Sequence, residues 1–167
     1  MDNNTIKVMF SSKRDDWGTP QDFFDKLNDE FHFDLDPCAD KDNHKTLLYF
    51  DKQHNGLVQD WGGHRVFCNP PYGRKATSEW IEKCAKESEK PNTLVVMLIP
   101  ARTDTIAFHK YIYHKAEIRF IKGRLKFGGS KDSAPFPSMV VIFDKNTSKI
   151  KGEWIWQQKI LLKRVIF

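Results

Sequence analysis

The chain has 167 residues, of which 40% are hydrophobic, and this length fits one domain that can bury a core. Its 27 lysine and arginine residues against 22 aspartate and glutamate residues give a formal charge of +5, which suits a polyanionic partner. Three cysteines without a C-x-x-C pair, and histidines without metal-binding spacing, argue against a disulfide scaffold and a zinc site. The sequence shows no signal-peptide pattern and no apolar stretch long enough to cross a membrane. We therefore expect a cytoplasmic protein that binds neither metal nor membrane.

Strand-like and helical patterns alternate along the chain. Residues 1–16 are polar and mixed in charge, so we expect a mobile leader with a short strand at 6–10, before a domain that spans 17–167. A helix is predicted to begin at Thr19, which can cap it, with Pro20 in its first turn, and to end near Glu30. Further helices are predicted at 78–89 and 105–115, and strands at 33–36, 65–68, 93–99, 118–121 and 139–143.

This alternation predicts the α/β fold class, as a single-domain three-layer sandwich whose mostly parallel sheet is covered by helices on both faces. The run 94–99 is apolar throughout, so we place it at the centre of the sheet. The tail at 152–167 is too apolar for a disordered appendage, and we expect it to pack on the domain or on a partner.

The segment Asn69-Pro70-Pro71-Tyr72 follows a predicted strand directly, at the end where open α/β sheets bind ligands. Two prolines stiffen the turn and remove two backbone donors, which leaves its carbonyls free to accept. The Asn69 side-chain oxygen and the Pro70 carbonyl can together accept both N–H groups of an exocyclic amine, and Tyr72 can stack on a flat base. Such contacts direct the amine lone pair toward an electrophile in the transition state. Taken alone, the same four residues are also typical of a purely structural rigid turn.

Six sequence blocks stand in one order between residues 17 and 143. They are Trp17-Gly18-Thr19-Pro20, Phe33 to Ala39, Asn55-Gly56-Leu57 with Asp60-Trp61, Cys68 to Tyr72, Met97 to Asp104, and Phe120 to Phe127 with Pro135 to Ser138. In these blocks the chain resembles the phage-type, Dam-like DNA N6-adenine methyltransferases of bacteriophages and prophages. The Asn69-Pro70-Pro71-Tyr72 quartet alone is shared with methyltransferases that act on protein glutamine and on RNA, whereas six ordered blocks are far more specific.

The resemblance implies a site-specific enzyme that transfers a methyl group from S-adenosylmethionine to the N6 amino group of adenine in double-stranded DNA. It implies direct in-line transfer without a metal or a covalent enzyme intermediate, after the base has been flipped out of the duplex. Asn69, Pro70, Pro71 and Tyr72 are the implied catalytic residues. A reduced class I methyltransferase-like fold, a phage or prophage origin and a role in evading restriction within a bacterial host are further expectations.

The cofactor site is expected after the first strand, at Asp36-Pro37-Cys38-Ala39-Asp40, where no glycine-rich G-x-G motif follows. By resemblance, the small residues Cys38 and Ala39 permit close approach, and Asp36 or Asp40 holds the cofactor ammonium. The methionine carboxylate is expected at Trp17, Thr19 and Pro20, and the adenosine at Asp51, Leu57 or Asp60, with Asn69 also in contact. The alternatives are a strand that ends in a turn with solvated acids, and a capping threonine beside a packed tryptophan.

Candidate DNA contacts lie on a basic cluster and beside the catalytic turn. The cluster interleaves basic residues with Phe120 and Phe127, and its members are Arg102, Arg119, Lys122, Arg124 and Lys126. Arg74 and Lys75 follow the turn, and Phe136 is placed either on the face of the base opposite Tyr72 or in the core. An ordinary amphipathic strand pair is an equally good explanation of the cluster.

Two other functions remain open from the sequence. One is a methyltransferase for protein glutamine or RNA that uses the same quartet. The other is a non-catalytic nucleic-acid-binding module that keeps the fold without binding the cofactor, which the missing G-x-G motif suggests.

Overall fold

A computed structural model describes residues 17–129 and 132–145 of the chain, and these residues form a six-stranded mixed sheet flanked by helices. The strands are β1 (Leu35–Asp36), β2 (Leu48–Tyr49), β3 (Arg65–Cys68), β4 (Leu94–Pro100), β5 (Glu117–Phe120) and β6 (Ser138–Asp144). The helices are α1 (Gln21–Phe31) and α2 (Arg74–Glu87), with a π-helical segment at Phe108–Ile112 and a 3-10 turn at Phe127–Gly129. The leader expected at 1–16 and the tail at 152–167 lie outside the described residues.

The strand order across the sheet is β2-β1-β3-β4-β6-β5. The first four strands run parallel, and β6 is antiparallel to both of its neighbours, β4 and β5. The predicted α/β fold class with a mostly parallel sheet is therefore confirmed. All seven residues of β4 are buried, and the strand lies between β3 and β6, at the central position predicted from its unbroken apolar run.

Two buried clusters occupy the two sides of the sheet, because successive side chains of a strand point to opposite faces. On one side, Val96 and Leu98 of β4 pack with the α1 stripe of Phe23, Phe24, Leu27 and Phe31. On the other side, Val95 and Met97 pack with Trp80, Ile81 and Cys84 of α2 and with Phe108 and Ile112. The parallel strands β1, β3 and β4 all end at one edge of the sheet, where ligands bind in open α/β folds.

The helix boundaries differ from the predicted ones at three places. Helix α1 begins at Gln21 with Pro20 in the cap position and no side-chain cap, so Thr19 does not cap it as predicted. Helix α2 begins at Arg74, four residues before the predicted start at 78. The helix predicted over 105–115 contracts to the π-helical segment. It ends before Tyr113, whose extended backbone (φ −59°, ψ 123°) leaves the helical region.

Glu87, at the end of α2, ties the helix to the segment that precedes β3. Its carboxylate accepts hydrogen bonds from Lys83 Nζ (2.7 Å), Lys90 Nζ (2.6 Å) and the buried Trp61 backbone N–H (2.8 Å), and the residue is 5% exposed. Burial alone would raise the pKa of Glu87. The hydrogen bonds from Lys83 and Lys90 lower this pKa by a larger amount, so the net pKa lies below its ordinary value. A lowered carboxyl pKa contributes stability at neutral pH, and this stability is lost as the pH falls through the folded-state pKa.

We expect Glu87→Ala to lower the free energy of unfolding by about 2–4 kcal/mol, because it leaves buried donors without an acceptor. Urea denaturation at pH 7 measures the loss, which should shrink as the pH is lowered. Glu82→Ala is the matched control, since the Glu82–Lys86 pair (2.8 Å) lies on the exposed face of the same helix and should contribute little. Equal losses in the two variants would contradict a special role for Glu87.

Candidate active site

The turn Asn69-Pro70-Pro71-Tyr72 leaves β3 at the ligand-binding edge of the sheet, and α2 begins directly after it. The Asn69 side-chain amide donates to the Trp17 carbonyl (2.5 Å), and its oxygen accepts from the Tyr72 hydroxyl (2.7 Å). These two bonds fix the orientation of the amide. A carbonyl oxygen has two lone pairs, so Asn69 Oδ1 can accept one more hydrogen bond. The Pro70 carbonyl accepts none from the described part of the chain.

Tyr72 differs from the stacking platform expected from the sequence. Its side chain is 3% exposed and does not line the cleft described below. Phe127 and Phe136 contact the ring edge-on, with centroid distances of 5.8 Å and 5.4 Å. Burial raises the pKa of Tyr72 well above its ordinary value, so the hydroxyl stays protonated and donates to Asn69. In this conformation Tyr72 orients the Asn69 side chain and offers no open face to a base.

Phe136 cannot sandwich a base together with Tyr72 in this arrangement. Their centroids lie 5.4 Å apart at an interplanar angle of 81°, whereas a base between two rings needs about 7 Å and parallel planes. Phe136 instead packs on Trp17 at 5.2 Å and is half-buried in the aromatic cluster of Trp17, Tyr72, Phe127 and Phe136. The core placement considered for Phe136 fits the structure better than the stacking placement.

A cleft of about 240 Å³ opens beside the turn, over the ends of β1 and β3. Asn69, Pro70 and Pro71 form one wall. Ten of the twelve predicted cofactor residues line the cleft, namely Trp17, Thr19, Asp36, Pro37, Cys38, Ala39, Asp40, Asp51, Leu57 and Asn69. Pro20 and Asp60 are not among the lining residues. Asp60 is exposed, lies outside the lining of the cleft and pairs with Lys90 Nζ (2.7 Å).

Asp36 is the buried carboxylate of the cleft, with 4% exposure. It accepts hydrogen bonds from the backbone N–H groups of Cys38 (3.3 Å) and Lys45 (3.1 Å). Burial raises its pKa from 3.8 to about 6, and the two backbone hydrogen bonds only partly oppose that effect. Asp40 is exposed, and its carboxylate is occupied by the Asp42 backbone N–H (3.0 Å) and the Asn43 side-chain amide (2.9 Å). Of the two acids considered for a cofactor ammonium, Asp36 is the buried one.

Thr19 lies in the cleft wall at the start of α1. The residue is 6% exposed, and its hydroxyl has no hydrogen-bond partner among the residues that the structure describes. A buried hydroxyl without a partner costs free energy, and a polar ligand in the cleft would satisfy it. The first backbone N–H groups of α1 also lack a side-chain cap. This end of the cleft therefore fits an anionic group.

Gly56 explains the Asn55-Gly56-Leu57 block, to which the sequence assigned no role apart from Leu57. A Cβ atom at Gly56 would lie 2.0 Å from the Pro37 carbonyl oxygen, so only glycine allows this close approach. The buried Trp61 indole N–H donates to the Gly56 carbonyl (3.0 Å) and holds the segment there. The contact sets the distance between the end of β1 and the opposite wall of the cleft.

Lys45 lines the cleft, although no sequence pattern predicted a role for it. It stands nine residues after Asp36, in a connection without a helical or strand pattern. Its backbone N–H holds Asp36, and its ammonium donates to the Gln21 side-chain oxygen (2.9 Å) at the start of α1. Asn43, Phe50, Lys52, Asn55 and Trp80 are further lining residues that the sequence did not identify.

The basic residues beside the turn at 69–72 and those in the predicted basic cluster differ in their contacts and exposure. Arg74 is the first residue of α2, and the Arg102 guanidinium donates to the Tyr72 carbonyl (3.1 Å). Both line a shallow groove next to the turn. Lys75 is exposed, and its Nζ lies 3.8 Å from Glu79 Oε1. Arg124 and Lys126 are exposed on the segment that leads to Phe127.

Arg119 does not belong to a DNA-binding cluster. Its side chain is 10% exposed, and its guanidinium makes two hydrogen bonds to Glu30, at 2.7 Å and 2.8 Å, and one to Glu117 at 2.6 Å. These ion pairs join β5 to the last turn of α1. Phe127 is also buried and packs on Trp17. Of the two aromatic residues in the predicted cluster, only Phe120 remains exposed.

Across residues 17–129 and 132–145, no three histidine, cysteine, aspartate or glutamate side chains are grouped so that they could hold a metal ion. No helix within these ranges has the length and apolar character needed to cross a membrane.

Two comparisons with known proteins indicate the family to which the chain is related. A family model described as "DNA N-6-adenine-methyltransferase (Dam)" matches residues 7–158. A curated relative from Escherichia coli (strain K12), named "Putative methyltransferase YfdM", is 37% identical over 65 residues, which cover 35% of this chain and 71% of the relative. Every residue that lines the cleft lies within the part of the chain that the family model matches.

Proposed function

Because the chain belongs to the DNA N-6-adenine-methyltransferase (Dam) family, we propose that it methylates the N6 amino group of adenine in double-stranded DNA, with S-adenosylmethionine as donor. The observation that carries this proposal is the shared cleft, which residues of the Asn69 turn line together with Asp36 and Thr19. We also propose a reduced class I methyltransferase-like three-layer sandwich, a phage or prophage origin, and action in the bacterial cytoplasm.

The residues of the turn supply two hydrogen-bond acceptors to the target amine. Asn69 Oδ1 has a lone pair left after its bond from Tyr72, and the Pro70 carbonyl is available beside it. Accepting both N–H groups directs the nitrogen lone pair out of the plane of the base, which favours attack on an electrophile. The bonds from Asn69 to Trp17 and Tyr72 orient the acceptor before the base enters.

The cleft fits a nucleoside that carries an amino-acid group. S-adenosylmethionine, when bound, supplies an electrophilic methyl group on a sulfonium. Asp36 offers a buried carboxylate to an ammonium, and Thr19 offers an unsatisfied hydroxyl to a carboxylate. Cys38 and Ala39 present small side chains at the end of β1, and Gly56 permits the close approach of the opposite wall. These features stand in place of the glycine-rich motif that the sequence lacks.

A flipped base would have to enter beside the aromatic cluster of Trp17, Tyr72, Phe127 and Phe136. Flipping costs a few kcal/mol, which contacts with the DNA must offset. Phe136 is half-buried and is the member best placed to move aside or to contact the incoming base. Arg74 and Arg102 flank the turn and are proposed to hold the phosphates next to the flipped nucleotide.

DNA binding is expected to weaken steeply with salt, because a domain of this size must rely on phosphate contacts. The double variant Arg124→Ala, Lys126→Ala should flatten the slope of log K against log salt by up to about two, since each phosphate contact contributes about 0.9. Fluorescence anisotropy from low to moderate salt measures this slope. The control is Lys110→Ala, Lys115→Ala, which removes the same charge from two exposed lysines elsewhere. Equal slopes in the two double variants would remove Arg124 and Lys126 from the binding face.

The direct test is transfer of a tritiated methyl group to unmethylated duplex DNA, followed by nucleoside analysis. Label in N6-methyl-2′-deoxyadenosine of the duplex supports the proposal. Parallel assays with RNA and with a glutamine-containing protein as acceptor test the two rival substrates, and label in one of these but not in DNA would support that rival. Binding of DNA without binding of S-adenosylhomocysteine would instead support a non-catalytic module.

A further inference from the structure

Lys45 connects the buried Asp36 carboxylate with the start of α1, in the cleft that Thr19 also lines. Its backbone N–H donates to Asp36 Oδ2 (3.1 Å), and its side-chain ammonium reaches Gln21 Oε1 (2.9 Å). The ammonium lies over the Phe24 ring, 6.0 Å from its centroid. The ammonium is thus held at the first residue of α1, and Lys45 and Thr19 both line the cleft.

The charges at this end of the cleft complement a zwitterion. Asp36 supplies a negative charge at the end of β1. Lys45 supplies a positive charge at the uncapped first turn of α1, which favours anions, and it lines the cleft together with Thr19. Because the Lys45 backbone holds Asp36 while its side chain reaches α1, this one residue sets the spacing between the two charged regions.

We propose that Lys45 binds the α-carboxylate of the amino-acid part of the cofactor, while Asp36 binds its ammonium. This inference rests on the proposed function and adds a residue to it. Lys45 is therefore a specificity-determining residue: it makes the cleft prefer an adenosyl thioether that carries a complete amino acid over one that lacks the carboxylate.

The surroundings of Lys45 agree with this role. Burial lowers the pKa of its ammonium, and the nearby carboxylates of Asp36 and Asp25 raise it only in part, so the net pKa lies below its ordinary value. A carboxylate beside the ammonium would compensate for that lost solvation. Lys52 also lines the cleft but is exposed, which makes it a matched control for the loss of one lysine charge.

The experiment measures calorimetric affinities of two ligands for Lys45→Met, Lys52→Met and the wild-type protein. The ligands are S-adenosylhomocysteine and its decarboxylated analogue, which keeps the ammonium. Lys45→Met should bind S-adenosylhomocysteine about 10–100-fold more weakly, as expected for a lost charged hydrogen bond. It should bind the analogue within about threefold of wild type. Lys52→Met should change neither affinity by more than about threefold, and Lys45→Arg should recover part of the loss.

Equal losses of both ligands in Lys45→Met would overturn the assignment, because they would show that Lys45 acts only by positioning Asp36. The wild-type protein gives an independent readout if the variant does not fold. It should bind the decarboxylated analogue at least tenfold more weakly than S-adenosylhomocysteine, and equal affinities would also overturn the assignment. Wild-type protein that binds neither ligand would instead overturn the proposed function, and the role of Lys45 with it.

Discussion

Asn69→Ala should lower the rate of methyl transfer by about two to three decades, which is the typical cost of removing one preorganised transition-state contact. The variant loses the side-chain acceptor for the amine and leaves the Pro70 carbonyl as the remaining one. Affinity for S-adenosylhomocysteine should change little, because the buried Asp36 and Thr19 carry the proposed contacts to its amino-acid group. Single-turnover kinetics on duplex DNA and calorimetry with S-adenosylhomocysteine measure the two effects separately.

Tyr72→Phe is the companion variant, since it keeps the buried ring and removes only the hydroxyl that donates to Asn69 at 2.7 Å. We expect a smaller loss of about tenfold, because the bond from Asn69 to the Trp17 carbonyl still restrains the amide. A near wild-type rate in Asn69→Ala would remove this side chain from the mechanism. A loss in Tyr72→Phe as large as that in Asn69→Ala would mean that orientation, and not acceptance itself, dominates.

Asp36→Asn should separate stability from ligand binding. The pKa of Asp36 rises from 3.8 to about 6 in the folded chain, so burial of the charged form destabilises the protein without ligand at neutral pH. One pKa unit corresponds to about 1.4 kcal/mol. The rise from 3.8 to about 6 therefore sets an upper limit of about 3 kcal/mol on the cost of burying the ionised Asp36 carboxylate. Removing the buried charge should raise the free energy of unfolding at pH 7. We expect Asp36→Asn to gain only about 1–2 kcal/mol of this limit, because the new amide can accept from one of the two backbone N–H groups but not from both.

The sign of the pH dependence follows from the raised pKa. The protonated Asp36 carboxyl contributes stability that is fully present below pH 3.8 and is lost as the pH rises through about 6. The higher stability expected for Asp36→Asn at pH 7 should therefore vanish in acid. Ligand binding should show the opposite trend. Affinity for S-adenosylhomocysteine should fall in the wild-type protein as the pH drops through about 6, since an ammonium needs the ionised carboxylate.

At pH 7, Asp36→Asn should bind S-adenosylhomocysteine at least tenfold more weakly than wild type. Thermal unfolding and calorimetry from pH 5 to 8 test both statements. Asp40→Asn is the matched control, because Asp40 lines the same cleft but is exposed and bonded within its own loop. A larger loss of affinity in Asp40→Asn would transfer the ammonium site from Asp36 to Asp40.

The sequence was sufficient where the decisive information is local. An unbroken apolar run identified the central strand β4, and the turn at Asn69 followed from a strand that leads directly into two prolines. The Asp36-Pro37 strand end was found for the same reason. Strand β2 was not predicted, because two residues are too few to show a period.

The sequence was insufficient where long-range contacts decide a side chain's environment. Arg119 is a basic residue of the type that contacts DNA phosphates. Its carboxylate partner Glu30 lies 89 residues away in the chain, so the sequence does not reveal that the guanidinium is paired. Asp60 is drawn to Lys90, 30 residues later, and Tyr72 is covered by two phenylalanines from the segment between β5 and β6. Lys45 gave no signal because its role depends on Gln21 and Asp36, which only the fold brings beside it.

Trp17 belongs to both halves of the site. It lines the cleft, its carbonyl holds the Asn69 amide, and its ring packs on Phe127 and Phe136. A ligand that restrains Trp17 from one side therefore lowers the entropic cost of ordering the other side. Such coupling is reciprocal by thermodynamic necessity, so whatever factor the nucleoside adds to the affinity for DNA, DNA must add to the affinity for the nucleoside.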